Sequence, residues 1–133
     1  MIVVVAPGQG SQTPGFLAPW LEDAAVRERV GQWSESIGVD LAAHGTTSDA
    51  DTIKDTALAQ PLIVAAGLVT ADALLADGRR GLVGGVAGHS VGEFTAAAVA
   101  GTLRAANPHE GMSAAAPAVL HHRGTLPSAL SCR

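Results

Sequence analysis

The run from Ile2 to Ala6 constrains the fold more than any other segment of the chain. It is an uninterrupted series of apolar, mostly β-branched residues, and Pro7-Gly8 closes it. Continuous apolar runs of this length favour a strand that is buried on both faces of a parallel sheet, because such a strand has no solvent face to carry polar residues. We therefore predict a short central strand here.

Helical patterns separate this run from a second strand candidate. Residues 16–38 predict one or two helices, and Pro61 to Asp77 predicts a well-buried helix with proline at its first position. Between them, residues 38–55 are polar and expected to lie mostly on the surface, and residues 49–61 predict a short helix and a turn. Val83 to Ala87 is the second predicted strand, and an alanine-rich helix follows it up to Gly101. This order of elements predicts an α/β fold with a parallel sheet.

Length and pattern together predict one domain followed by a tail. The 133 residues suit a single ordinary domain. The regular patterns fill residues 1–103, whereas residues 104–133 contain three prolines and no sustained apolar period. We predict no regular element in that segment and treat it as an irregular tail.

Charge and cysteine content exclude several function classes. The formal net charge of −4 provides no basic stripe for nucleic acid or an anionic membrane. The single cysteine rules out an intrachain disulfide framework, and the N-terminus has no basic region of a signal peptide, so we expect a cytoplasmic protein. The histidines are scattered, and we expect no metal site.

Residues 88–92, Gly-His-Ser-Val-Gly, match the nucleophile elbow G-x-S-x-G. They stand between a predicted strand and a predicted helix, which is the context that the motif requires. Ser90 would then be a nucleophile in a strained turn, and the Val91 N–H would help to hold an oxyanion. The alternative is a plain S-x-x-E capping box formed by Ser90 and Glu93, and both interpretations stay open on the pattern alone.

The glycine-rich loop after the first strand, residues 8–15 (GQGSQTPG), is the second segment that bears on function. It lacks the Gly-Lys-Ser/Thr ending of a P-loop, and Thr13 stands where G-x-G-x-x-G requires its third glycine, so nucleotide binding is disfavoured. Such a loop can instead bring the backbone N–H of Gln9 beside a serine on the neighbouring strand and complete an oxyanion hole. The alternative is an ordinary tight turn.

Three segments together resemble the malonyl-CoA:acyl carrier protein transacylases, in an actinobacterial style. They are APGQGSQTPGF at 6–16, TALAQPLIVAAG at 56–67 and AGHSVGEFTAAAVAG at 87–101, in the family's order and with family-like spacing. The resemblance implies that residues 1–103 are the N-terminal part of an acyltransferase large domain. It implies a partial α/β-hydrolase-like parallel sheet with flanking helices, without the ferredoxin-like subdomain, which falls downstream in the family.

The activity implied by this resemblance is acyl transfer in two halves, in fatty acid or polyketide synthesis. Ser90 would take malonyl from coenzyme A and pass it to the phosphopantetheine thiol of acyl carrier protein. Gln9 and Val91 match the positions whose backbone amides form the family's oxyanion hole. Malonyl-CoA and acyl carrier protein are therefore the expected partners, and we expect no cofactor apart from the coenzyme A thioester as substrate.

The sequence departs from the family at two functional positions. A serine needs a neighbouring base, usually histidine, and in the family that histidine lies beyond the length of this chain. His89 adjoins Ser90, but neighbouring side chains at an elbow point different ways, so we expect it to pack or to form a hydrogen bond. The family's carboxylate-binding arginine lies on the helix after the elbow helix, and neither Arg104 nor Arg123 has that spacing.

These departures keep other interpretations open. The chain would be either an acyltransferase or a truncated, catalytically inactive remnant or interaction protein of the same fold. A serine hydrolase fits the glycine-rich loop less well. An internal deletion, a changed reading frame or a truncated gene would each explain the loss of pattern after Leu103. Since a partial sheet leaves apolar faces uncovered, we also expect marginal folding.

Overall fold

The computed structural model of the protein describes residues 1–101, so the predicted tail 104–133 lies outside the described residues. Strands and helices alternate as an α/β fold requires, and the predicted class is confirmed. The elements are β1 (Ile2–Ala6), α1 (Ala24–Ile37), α2 (Leu41–Thr46), α3 (Thr56–Leu74), β2 (Val83–Gly88) and α4 (Gly92–Val99). Short 3₁₀ turns lie at Trp20–Glu22, Thr52–Lys54 and Arg79–Leu82.

β1 and β2 form a parallel two-stranded sheet, as predicted from their apolar runs. Ala6 pairs with Gly88, so the carboxyl ends of both strands meet at one edge of the sheet. The prediction that β1 is buried on both faces is wrong within the described residues: Val3 and Val5 are 58% and 71% exposed. The alternation of burial along β1 shows that residues 1–101 cover one face of this strand.

α3 forms the centre of the hydrophobic core. Its buried side chains join those of the neighbouring helices and of the loop after β1, and the largest fully buried members are Trp33, Leu17, Leu41, Ile53, Leu62, Val30 and Val69. Among residues 1–101, α3 alone is long and apolar enough to span a membrane by length and composition, a test that the core helix of a soluble protein also passes. Its packing here is that of a core helix.

α3 begins at Thr56, so the prediction that Pro61 opens this helix is wrong. The Asp55 carboxylate accepts a hydrogen bond from the Ala57 N–H at 2.8 Å, and this cap starts the helix earlier. Pro61 lies inside the helix and is buried. Its missing N–H removes one bond, to the Ala57 carbonyl, while burial of the ring compensates by adding apolar contact.

α2 lies in the stretch that was expected to be mostly surface. The Asp40 carboxylate caps it by accepting from the Ala43 N–H at 2.9 Å, and Leu41 is fully buried. Gly45 faces Leu17 so closely that a Cβ there would lie 2.8 Å from the leucine Cβ. A six-residue helix is too short for a clear apolar period, which is why the sequence pattern did not indicate it.

We predict that α3 and α4 cannot accommodate a methyl group where they cross at Gly67. A Cβ at Gly67 would lie 2.6 Å from the Thr95 Oγ1 and 2.8 Å from its Cγ2, and Thr95 is itself buried. Gly67→Ala should lower the free energy of unfolding by about 1–3 kcal/mol, the usual cost of overfilling a packed core. Urea unfolding followed by tryptophan fluorescence measures it.

Gly31→Ala is the matched control. Gly31 is also a half-buried helical glycine, on α1, but its Cβ position has no neighbouring heavy atom within 4 Å. Since alanine has the higher helix propensity, the free energy of unfolding should rise by about 0.5–1 kcal/mol. An equal loss in the two variants would contradict the tight crossing.

Candidate active site

Ser90 lies in the turn that joins β2 to α4, and its backbone is left-handed with a φ of 55°. Asp77 is the other non-glycine residue among 1–101 with a positive φ. This conformation costs a non-glycine residue about 1–2 kcal/mol and persists only where the surrounding structure enforces it. The Ser90 side chain is exposed, and its hydroxyl forms no hydrogen bond with the rest of the described chain.

Two glycines force the turn into this shape by letting backbone pack on backbone. A Cβ at Gly92 would collide with the carbonyl oxygens of Ala6 and Pro7, and a Cβ at Gly88 would collide with the backbone of Gly92 and Glu93. Only a residue without a side chain fits at either place. The start of α4 is therefore held directly against the end of β1.

The loop after β1 lies against the same turn. A Cβ at Gly8 would lie 2.7 Å from the His89 Nδ1 and 3.2 Å from the Ser90 Cβ. The His89 N–H also donates to the Ala6 carbonyl oxygen at 3.0 Å, which extends the parallel pairing by one residue. Gln9, which follows Gly8, is thus brought beside Ser90.

Among the described residues, the backbone N–H groups of Val91, which follows Ser90, and of Gln9, which follows Gly8, have no acceptor. The next N–H groups along the chain are used: Gly92 donates to the His89 carbonyl oxygen and Glu93 to the Ser90 carbonyl oxygen, both at 3.0 Å. Free N–H groups at a helix N-terminus attract negative charge. The arrangement is chemically suited to stabilising an anion next to an exposed hydroxyl.

Known proteins of one kind resemble the chain in sequence. A malonyl CoA-acyl carrier protein transacylase of Mycobacterium tuberculosis is 49% identical over 109 residues, which are 79% of this chain and 35% of that protein. The protein of the same name from Escherichia coli K12 is 33% identical over 100 residues, which are 74% of this chain and 32% of that protein. No protein-family model matches the sequence.

Solved structures agree with the sequence comparison. The crystal structure of MCAT from Mycobacterium tuberculosis matches with a TM-score of 0.76 and 45% identity, covering 87% of this chain and 38% of that one. The chain is homologous to the malonyl CoA-acyl carrier protein transacylases. It spans 35% of the length of the Mycobacterium tuberculosis relative. The resemblance inferred from the three sequence segments is confirmed.

In this transacylase homologue, the capping-box interpretation of Ser90 and Glu93 is wrong. The residue that precedes α4 is Val91, and no side chain caps the helix. An N-cap serine requires an extended backbone, whereas Ser90 is left-handed, and its hydroxyl accepts no hydrogen bond from a helix amide. The Glu93 N–H is satisfied by the Ser90 carbonyl oxygen instead.

The histidines of the described region are not bonded to Ser90. His89 is exposed and lies against Gly8, in agreement with the expectation that it packs next to the turn. His44 is on α2, where its Nδ1 pairs with the Ser48 hydroxyl at 2.9 Å. Arg104 and Arg123, to which no role was assigned, lie outside the described residues. Within 1–101, no group of three or more His, Cys, Asp or Glu residues is arranged to hold a metal ion.

Sequence reasoning missed the side-chain contacts that hold the glycine-rich loop. The Gln9 amide donates to the Lys54 carbonyl oxygen and to the Thr56 hydroxyl, and the Gln12 amide donates to the Ile53 carbonyl oxygen. These partners are more than forty residues apart in sequence, so no local pattern indicated them. The signal that the sequence offered for these contacts was the presence of two glutamines, Gln9 and Gln12, in one short loop.

We predict that glycine is the most stable residue at position 90. Because a left-handed backbone suits glycine but not alanine, Ser90→Gly should exceed Ser90→Ala in free energy of unfolding by about 1 kcal/mol. At Ser36, an exposed helical residue of α1, the order should reverse by a similar amount. Urea unfolding of the four variants gives both differences, and the same order at both positions would contradict the left-handed turn.

We also predict that Gly92 tolerates no side chain. Gly92→Ala should lower the free energy of unfolding by about 2 kcal/mol or more, because the methyl group meets backbone oxygens that cannot move aside. Gly85→Ala on β2 is the control, since its Cβ would lie 3.8 Å from the nearest Val3 carbon, an ordinary contact, and the change should stay within about 0.5 kcal/mol. Equal stability of the two variants would overturn the prediction.

Proposed function

We propose that this chain carries the nucleophile of a malonyl transfer from coenzyme A to the phosphopantetheine thiol of an acyl carrier protein. The observation that carries the proposal is the exposed Ser90 hydroxyl on a strained turn, beside the free N–H groups of Gln9 and Val91. The substrate class is proposed from homology with the transacylases, and with it a role in fatty acid or polyketide synthesis. One neighbouring structure is described as a type II PKS acyl-carrier protein in complex with its malonyl-transacylase, with a TM-score of 0.73 and 28% identity, covering 88% of this chain and 36% of that one.

In the first half-reaction, the Ser90 oxygen attacks the carbonyl carbon of the malonyl thioester. The carbonyl electron pair moves to oxygen and forms a tetrahedral oxyanion. When the oxyanion collapses, the carbon–sulfur bond breaks, malonyl stays on Ser90 as an ester, and the proton of the serine hydroxyl passes to the departing coenzyme A thiolate. In the second half-reaction the carrier thiol attacks this ester and restores the serine.

The N–H groups of Gln9 and Val91 act on the oxyanion. Both are backbone donors, so they need no reorganisation when the charge develops, and the positive end of the α4 dipole adds to their effect. Removal of one such donor typically costs about 10²–10³ in rate. The two donors lie in the segments that follow the neighbouring strands β1 and β2, as in an α/β-hydrolase-like site. We extend the proposal to that fold type and to a cytoplasmic location.

The described residues do not supply a proton acceptor for the Ser90 hydroxyl. No side chain within 1–101 forms a hydrogen bond with the Ser90 hydroxyl. This observation favours a second candidate, a non-enzymatic relative that binds a carrier protein or a full-length transacylase without acylation. The two candidates differ in whether Ser90 is ever esterified.

We predict a malonyl ester on Ser90 after incubation of the full chain with malonyl-CoA. Intact mass spectrometry followed by peptide mapping detects it, and the adduct should be absent from Ser90→Ala and retained in Ser36→Ala, which removes another exposed serine. Cys132 is a competing nucleophile, and neutral hydroxylamine distinguishes its thioester from the serine ester. If wild-type protein carries no Ser90 adduct but retains an acyl carrier protein in a pull-down, the non-enzymatic candidate replaces the proposal.

A further inference from the structure

Gln12 is the residue of the glycine-rich loop that the proposed function leaves without a role. Its side chain is half-buried and uses both ends of its amide. The Nε2 donates to the Ile53 carbonyl oxygen at 3.1 Å, and the Oε1 accepts from the Gly10 N–H at 2.8 Å. Gln12 therefore bridges the loop to the segment that precedes α3.

The end of this bridge at Ile53 is anchored in the hydrophobic core. Ile53 is 1% exposed and belongs to the main hydrophobic cluster, so its carbonyl group is fixed by packing of its own side chain. The Gln9 amide reaches the same segment, donating to the Lys54 carbonyl oxygen at 3.3 Å and to the Thr56 hydroxyl at 3.2 Å. Both glutamines thus tie the loop to one stretch of backbone that the buried Ile53 side chain anchors.

The near end of the bridge controls the backbone around Gln9. Gly10 has a φ of 106°. Because glycine has few intrinsic backbone preferences, the orientation of the peptide group before it depends on what the Gly10 N–H binds. The Gln12 Oε1 holds that N–H and so fixes the plane of the peptide between Gln9 and Gly10. On the other side, Gly8 is confined by His89 and Ser90. Gln9 is held on both sides while its own N–H is left free.

We propose that Gln12 is a positioning residue that directs the Gln9 N–H toward the oxyanion that forms when Ser90 attacks its substrate. The inference rests on the proposed function and adds to it the part of the loop that keeps the donor in place. Preorganised donors need their position fixed to within about 0.5 Å, and a misplacement of about 1 Å can cost as much as 10²-fold in rate. A two-ended side-chain bridge to a buried carbonyl group provides that restraint.

The first test measures the loop itself and does not depend on activity. In ¹⁵N relaxation experiments on the full chain, the Gln9 and Gly10 N–H groups should have order parameters near about 0.85, falling below about 0.6 in Gln12→Met, which removes both bonds. Gln32→Met is the matched control, because Gln32 is an exposed α1 residue whose amide reaches only Glu28. Order parameters of Gln9 that stay unchanged in Gln12→Met would overturn the proposal.

The second test measures the rate of Ser90 labelling by malonyl-CoA. Gln12→Met should lower the labelling rate at saturating malonyl-CoA about 10-fold, with little change in the half-saturating concentration, because the donor acts on the transition state. Gln12→Glu keeps the acceptor for Gly10 and should recover part of the rate, whereas Gln32→Met should match wild type. A mobile loop with an unchanged labelling rate would overturn the positioning role.

The two tests separate this inference from the proposed function. If the wild-type chain is never labelled, the proposed function fails, and the order parameters alone decide whether Gln12 holds the Gln9 backbone. If labelling occurs and Gln12→Met slows it in proportion to a general loss of folded protein, measured by urea unfolding, Gln12 is only structural and the inference fails.

Discussion

The described structure depends on the contact between the start of α4 and the end of β1, where backbone meets backbone at Gly92. The carbonyl oxygens of Ala6 and Pro7 occupy the space that a side chain at position 92 would need. This contact fixes the position of the first turn of α4 relative to the end of β1, and therefore the position of the turn that carries Ser90. The pairing of Ala6 with Gly88 and the bond from the His89 N–H to Ala6 keep the two strand ends in the same register.

The strained backbone of Ser90 follows from that contact. Three residues join β2 to α4, and Ser90 is the middle one. The His89 N–H is bonded to the Ala6 carbonyl oxygen and the Val91 carbonyl oxygen accepts from the Phe94 N–H, so the chain changes direction at Ser90, where the left-handed region provides a sharp bend. The strain also explains why the hydroxyl is free. A serine in the extended conformation of an N-cap would satisfy a helix amide, whereas Ser90 is turned out to solvent and the Val91 N–H is left without an acceptor.

Sequence reasoning succeeded where the determinant was local. The apolar runs predicted both strands because short apolar segments bounded by turn residues favour strand structure, although residues 1–101 cover only one face of β1. The two flanking glycines indicated the turn because only glycine permits the close approach. It failed where tertiary contact decided. Pro61 was placed at a helix start by its own preference, but the Asp55 cap six residues earlier controls the boundary. α2 is held by Leu41 and by the fit of Gly45 on Leu17, which no periodicity reveals. The Gln9 N–H was singled out from the glycine-rich loop and from the family resemblance, whereas the glutamine bonds that hold this loop join residues distant in sequence.

The candidate site divides into a part that backbone geometry supplies and a part that side chains must supply. The proposed anion-stabilising part consists of two backbone N–H groups. Because every residue except proline has a backbone N–H, the residue type at these two positions is not decisive. The position of the two N–H groups depends instead on the glycines of the turn and on side chains such as Gln12 that restrain the loop. The amide side chain of Gln9 ties the loop to Lys54 and Thr56, whereas the donor proposed for the oxyanion is the backbone N–H of the same residue. Proton transfer is different in kind, because it needs an ionisable side chain within reach of the Ser90 oxygen. Under the proposed function, residues 1–101 supply the electrostatic half of the site, and proton transfer at Ser90 requires an acceptor from outside these residues.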